Sequence, residues 1–117
     1  MKLNQVKDIL NAQEVLIIDE KVLDKDFFYG FSSDLMSDAL ALIDDTQEIL
    51  FLTGLVNQQT LRTAEMLDIE VIIFVRNKIP SDELIEMARK LNINMLSTAY
   101  TMYEACGRLY HGGLHRW

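Results

Sequence analysis

Two short stretches of uninterrupted apolar residues constrain the fold of this chain more than any other feature. Residues 49–52 read Ile-Leu-Phe-Leu, and residues 71–75 read Val-Ile-Ile-Phe-Val. A strand that is apolar at every position has to be covered on both faces, as happens in a parallel sheet between two layers of helices. The sequence therefore predicts buried central strands, unlike the half-exposed strands of an open antiparallel sheet.

Segments with apolar residues at helical spacing alternate with these strands. Residues that cap helix N-termini precede several of them, at 32–34, Asn57, 80–83 and Thr101. Further strands are predicted at 14–18, 27–31 and 95–96, with a polar loop at 44–47 and a flexible tail at 110–117. This order predicts an α/β chain with one domain over residues 1–117, a three-layer α/β/α arrangement whose mostly parallel sheet has about five strands.

Composition excludes several classes of function. The chain has 117 residues, of which 11 are basic and 18 acidic, giving a net charge of −7. Phosphate neutralisation needs clustered basic residues, so we expect no nucleic-acid partner. The longest mostly apolar stretch, residues 49–56, is far shorter than the ~20 residues of a membrane span, so we expect no membrane partner. The N-terminus lacks the layout of a secretory signal, which predicts a cytoplasmic protein.

Catalytic motifs and metal ligands have little support in the sequence. Gly54 is not followed by the lysine and hydroxyl residue of a phosphate loop, and no nucleophile elbow is present. Cys106, His111 and His115 have a spacing that a metal site could use, but no fourth ligand is evident. Cys106 lies between two small residues and is expected to be structural. We therefore expect no enzyme activity, no metal and no cofactor.

Polar and basic residues collect where the predicted strands end. In an open parallel sheet, ligands bind outside the carboxyl ends of the strands, beside helix N-termini that attract anions. The residues predicted to bind a small anionic ligand there are Ser33, Asp34, Thr53, Gly54, Asn57, Arg76, Lys78, Ser97 and Thr98. Each has an ordinary structural alternative as a helix cap, a tight turn or a solvated charge. Only the set as a whole indicates a ligand site.

The same loops carry a family resemblance. Residues 31–38 (FSSDLMSD), 52–55 (LTGL), 62–69 (RTAEMLDI), 74–78 (FVRNK) and 97–107 (STAYTMYEACG) together resemble stand-alone DRTGG-domain proteins. The literal pentapeptide is absent, and Thr53-Gly54 is its nearest local match. The resemblance implies a compact α/β/α domain similar to the N-terminal domain of HPr kinase/phosphorylase. It also implies an accessory role, like that of domains that accompany CBS domains in nucleotide-regulated pyrophosphatases.

Two functions remain open at this point. In the first, the chain is a non-catalytic regulatory domain that senses a small anionic metabolite or nucleotide and signals to a partner protein. In the second, it is a dimerisation or assembly module without a ligand, docking through the aromatic residues 27–31 or through the tail. The second function predicts a homodimer that forms without a ligand. The partners we expect are a second copy of the chain and a larger enzyme or kinase.

Overall fold

The computed structural model describes residues 1–43 and 48–116. Helices and strands alternate along this part of the chain. They are α1 (Leu3–Leu10), β1 (Gln13–Leu16), a 3-10 helix (Glu20–Asp24), β2 (Tyr29–Ser32), α2 (Met36–Leu42), β3 (Ile49–Thr53), α3 (Gln58–Met66), β4 (Val71–Phe74), α4 (Asp82–Lys90), β5 (Asn94–Ser97), α5 (Met102–His111) and β6 (His115–Arg116). The loop predicted at residues 44–47 and Trp117 lie outside the described residues.

The strands form one sheet in the order β1-β5-β4-β3-β2-β6. Neighbours from β5 through β4, β3 and β2 to β6 run parallel, and β1 pairs with β5 in the antiparallel direction. The register aligns Phe51 with Ile72, and Ile72 with Met95. The predicted mostly parallel α/β sheet is confirmed, and β6 adds a two-residue strand at its edge.

Helices cover both faces of this sheet. On one face α2, α3 and α4 pack through Ala39, Leu61 and Ala88 against side chains that include Phe51. On the other face α1 and α5 pack through Val6 and Leu109 against the alternate side chains of the same strands. All residues of β3 and β4 are buried. Uninterrupted apolar strands thus lie between two helical layers, as their composition requires. None of the described helices is both long and apolar enough to cross a membrane.

Side-chain caps begin three of the helices as predicted. Asn57, Ser81 and Thr101 each accept a hydrogen bond from the backbone N–H three residues later. Helix α2 differs, because Leu35 occupies the position before its first residue and no side-chain cap is found there in the described structure. Asp34, expected among the capping residues, bonds instead to the neighbouring loop after β3.

The aromatic residues 27–31 are only partly extended. Strand β2 begins at Tyr29, and residues 20–24 before it form the 3-10 helix. Phe27 is buried beside α1, whereas Phe28 is 50% exposed. Strand pairing requires the neighbouring β3, which reaches back only as far as the residue opposite Tyr29.

Residues 110–116 differ from the flexible tail that the sequence predicts for residues 110–117. Tyr110 and His111 complete α5, and Leu114 is buried at 4% exposure in the core between α5 and the sheet. His115 then pairs with Tyr29, and its N–H donates to the carbonyl of Phe28 at 3.2 Å. Leu114 packs against Gly30, which has no side chain and therefore leaves room for the leucine. This packing holds the segment against the sheet.

Candidate functional site

The loops after β2, β3, β4 and β5 meet at one edge of the sheet because these strands are parallel and adjacent. The loop after β3 lies between the loop that carries Asp34 and the loop that carries Arg76. All of the residues proposed as ligand-binding lie in these loops or at the adjoining strand ends. Some of these side chains approach one another at the edge. The others form hydrogen bonds that support the loops and helix starts.

Asp34 and the Thr53-Gly54 turn form the first part of the site. Asp34 Oδ1 accepts a hydrogen bond of 2.6 Å from the backbone N–H of Gly54 and one of 3.2 Å from the hydroxyl of Thr53. The hydroxyl of Thr53 also accepts from the N–H of Leu55 at 3.1 Å. These bonds hold the turn against the loop after β2.

Arg76 approaches the same turn from the other side. A Cβ added at Gly54 would collide with Nη2 of Arg76, and would lie 3.0 Å from its Cζ and 3.3 Å from Asp34 Oδ1. The absence of a side chain at Gly54 therefore lets the guanidinium lie directly over the turn. Arg76 and Asp34 flank Gly54 without forming an ion pair within 4.0 Å.

An unusual backbone conformation places Arg76. Arg76 and Asn77 are both left-handed, each with φ of 58°. Such a conformation is uncommon for residues other than glycine and asparagine, and at Arg76 it costs about 1–2 kcal/mol. Two hydrogen bonds of 2.8 Å to the loop after β5 hold it, from the N–H of Arg76 to the carbonyl of Tyr100 and from the N–H of Asn77 to the carbonyl of Thr98.

The remaining predicted residues have structural partners. The Ser33 hydroxyl accepts from the N–H of Leu35, and the side chain of Asn57 caps α3. The Ser97 hydroxyl donates to the carbonyl of Lys78 at 2.8 Å. The Thr98 hydroxyl is buried and donates to the carbonyl of Leu10 at 2.8 Å. The structure thus brings Asp34, Thr53, Gly54 and Arg76 together, with Lys78 exposed on the same loop as Arg76.

The charge of Arg76 is not neutralised within the described structure. Four basic side chains of the described residues form ion pairs, those of Lys7, Lys25, Arg89 and Arg108. Arg76 and Lys78 have no carboxylate within 4.0 Å among the described residues. An unpaired guanidinium over a hydrogen-bonded turn is suited to binding a phosphate or carboxylate.

Two features were not foreseen from the sequence. Tyr100 supports the Arg76 loop through its carbonyl, and its ring lies 4.3 Å from the guanidinium carbon of Arg108 on α5. A half-open, mainly apolar cavity of about 130 Å³ lies between β2 and α5, lined in part by Phe31, Cys106 and Leu114.

The described residues contain no group of three or more His, Cys, Asp or Glu that could hold a metal ion.

Fold and site together define a small α/β/α domain with an arginine-bearing edge. No family model and no curated protein matches the sequence. The chain is similar to a crystal structure of the CBS and DRTGG domains of the regulatory region of Clostridium perfringens pyrophosphatase, complexed with the activator diadenosine tetraphosphate. The TM-score is 0.71 at 20% identity, over 92% of this chain and 45% of that one. The chain therefore spans less than half of that structure, and the similarity supports a DRTGG-like fold.

Proposed function

We propose that this chain is a non-catalytic regulatory domain that senses a small anionic metabolite or nucleotide and signals to a partner protein. The observation that carries the proposal is the position of Arg76, whose unpaired guanidinium lies over Gly54 at the carboxyl edge of the sheet. A chain with a net charge of −7 repels anions in general, so anion binding needs a local positive site of this kind.

Each residue at this edge has a defined role in the proposal. Arg76 binds the anion through two parallel N–H groups, and Lys78 adds positive charge. Asp34 positions the turn, because its Oδ1 is already bonded to Gly54 and Thr53. The N–H groups of Gln58 and Gln59 at the start of α3 add further donors, since Asn57 already accepts from the N–H of Thr60. Ser97 and Thr98 support the loops and do not contact the ligand.

A route for the signal leads from Arg76 to α5. The N–H of Arg76 donates to the carbonyl of Tyr100, the residue before the cap of α5. Arg108 on α5 in turn stacks on the ring of Tyr100. A ligand that moves the Arg76 loop therefore changes contacts just before the N-terminus of α5 and in its last turn. A partner bound to α5 would sense the difference.

The structural neighbour supports the regulatory class. That structure is a regulatory region bound to a nucleotide activator, which makes nucleotides the first ligands to test here. We further propose that the protein acts in the cytoplasm, as a homodimer, on a larger enzyme or kinase.

The test is ligand binding by wild-type protein and Arg76→Ala. The panel contains adenine and guanine nucleotides, dinucleotides, acyl phosphates and simple carboxylates, screened by thermal shift and then by calorimetry. A ligand at one hundred times its Kd stabilises the fold by about 2.7 kcal/mol, which raises Tm by several degrees. Removing the cation should weaken binding by about 2–5 kcal/mol.

Arg62→Ala is the matched control. Arg62 is exposed on α3 and, among the described residues, also has no ion pair, so the variant loses the same charge elsewhere. It should bind like wild type. The proposal is contradicted if no compound of the panel binds to the wild-type protein. It is also contradicted if Arg76→Ala binds a ligand as tightly as the wild type does.

A further inference from the structure

Asp34 and Arg76 place opposite charges on the two sides of Gly54. A Cβ added at Gly54 would lie 3.3 Å from Asp34 Oδ1 and 3.0 Å from Arg76 Cζ, so these two atoms are no farther apart than the two distances together. Even so, the side chains form no ion pair within 4.0 Å. The charges are too far apart to pair directly and close enough for one small molecule to contact both.

Asp34 keeps an acceptor that a ligand can use. Its hydrogen bonds from the N–H of Gly54 and the hydroxyl of Thr53 both end on Oδ1. Within the described part of the chain Oδ2 accepts no hydrogen bond, and the residue is exposed. The two bonds to Oδ1 hold the carboxylate in place, and Oδ2 is left to accept from a donor on the ligand.

Arg76 is held on the opposite side by its backbone. Its N–H donates to the carbonyl of Tyr100, and the N–H of Asn77 donates to the carbonyl of Thr98. The Arg76 side chain is exposed and, among the described residues, has no carboxylate within 4.0 Å. The guanidinium can therefore bind an anionic group while Asp34 binds a cationic one.

This arrangement of charges fits a zwitterion better than a polyanion. A polyphosphate brings several negative charges close to the Asp34 carboxylate, which no described basic side chain neutralises within 4.0 Å. An α-amino acid carries its carboxylate and its ammonium group on the same carbon. With a hydrogen bond of about 2.9 Å at each end, such a molecule spans the gap between the two side chains.

Apolar surface adjoins the charged pair. Leu35 follows Asp34 in the sequence and is 56% exposed, and Leu55 follows Gly54 and is half-buried. An apolar side chain on the ligand gains free energy when it covers such surface. Amino acids with apolar side chains are therefore the expected members of the class.

We infer that the edge binds an apolar α-amino acid, with its carboxylate on Arg76 and its ammonium group on Asp34 Oδ2. The inference rests on the proposed function, since Arg76 holds the anionic group in both, and it names the class of metabolite that is sensed. Asp34 then has two roles, because it positions the turn and also contacts the ligand.

The first test compares leucine with two matched compounds by calorimetry on the wild-type protein, as an addition to the ligand panel. Isocaproate is leucine without its ammonium group. The second compound, ε-aminocaproate, is an isomer of leucine that carries the same two charges at opposite ends of the molecule. We expect leucine to bind, and each of the other two to bind about tenfold or more weakly, because each loses one of the two charge contacts.

Asp34→Asn provides the second test. The amide oxygen still accepts from Gly54 and Thr53, so Tm should stay close to that of the wild type. Leucine should bind about tenfold more weakly, whereas isocaproate should bind at least as tightly as to wild type, because the repelling charge is gone. Asp38→Asn, at an exposed position of α2, removes the same charge elsewhere and should bind leucine like wild type.

Three results separate this inference from the proposed function. Leucine that binds no more tightly than isocaproate, or equally well to Asp34→Asn, overturns the inference. A nucleotide that binds through Arg76 while leucine does not bind overturns the inference and leaves the proposed function intact. A wild-type protein that binds neither leucine nor any other compound of the panel overturns both.

Discussion

Asp34 Oδ1 accepts a 2.6 Å hydrogen bond from the backbone N–H of Gly54, twenty residues away and on the neighbouring loop. The same oxygen accepts from the hydroxyl of Thr53 at 3.2 Å. This contact joins the ends of β2 and β3 and leaves the space over Gly54 to Arg76. The candidate site therefore depends on one carboxylate that bonds across loops and one residue without a side chain.

Asp34→Ala should destabilise the fold. The change leaves the N–H of Gly54 and the buried hydroxyl of Thr53 without their acceptor, at a cost of about 1–3 kcal/mol. Urea denaturation measures the loss. Asp8→Ala, at an exposed position of α1, should change stability by no more than about 0.5 kcal/mol. Equal effects of the two substitutions would show that the contact has no special role.

Gly54→Ala should separate binding from stability. The methyl group would collide with Nη2 of Arg76, the end of a flexible side chain that can move away. We expect the free energy of unfolding to change by less than about 1 kcal/mol, while affinity for the anionic ligand falls as it does in Arg76→Ala. Calorimetry with the same ligand provides the measurement. Unimpaired binding in Gly54→Ala would mean that the position of the guanidinium over the turn is irrelevant.

Thr98→Val should lower stability without weakening ligand binding, the reverse of what we expect for Gly54→Ala. The buried Thr98 hydroxyl donates to the carbonyl of Leu10, and its loss leaves that carbonyl without this donor, at a cost of about 1–3 kcal/mol. Because the hydroxyl bonds inside the fold, ligand affinity measured well below Tm should stay at the wild-type value. Weaker ligand binding by Thr98→Val without a loss of stability would indicate that the Thr98 hydroxyl contacts the ligand.

Leu114→Ala tests whether the end of the chain belongs to the core. Leu114 is buried beside Gly30, so truncation should cost about 2–5 kcal/mol. The control is Leu35→Ala, since Leu35 is 56% exposed and should cost far less. Both values come from chemical denaturation. A loss at Leu114 as small as that at Leu35 would support the flexible tail that the sequence predicts.

Several parts of the fold were predictable because their causes are local. The apolar runs around Phe51 and Ile72 require burial on both faces, and this requirement alone predicts a covered parallel sheet. Asn57 and Thr101 each satisfy an N–H three residues away, so their roles as caps can be read from sequence spacing. The edge where the strands end followed from the same alternation of strands and helices.

The partners of polar groups across loops were not predictable, because they depend on which strands become neighbours. Ser33, Asp34 and Thr98 are alike in sequence, as polar residues that follow a strand. In the structure Ser33 accepts from the N–H of Leu35 in its own loop, Asp34 accepts from the N–H of Gly54, and Thr98 donates to the carbonyl of Leu10 at the end of α1. Local spacing carries no information on contacts between residues so distant along the chain.

By itself, the sequence determined the fold class and the strands of the core, because hydrophobic periodicity and capping act over a few residues. Only the tertiary structure decided that Arg76 lies unpaired over Gly54 and that Leu114 joins the core. It also decided that Asp34 lies opposite Arg76 across Gly54. The physical reason is the same for all three, since packing of the two helical layers sets which side chains are satisfied internally and which remain available to another molecule.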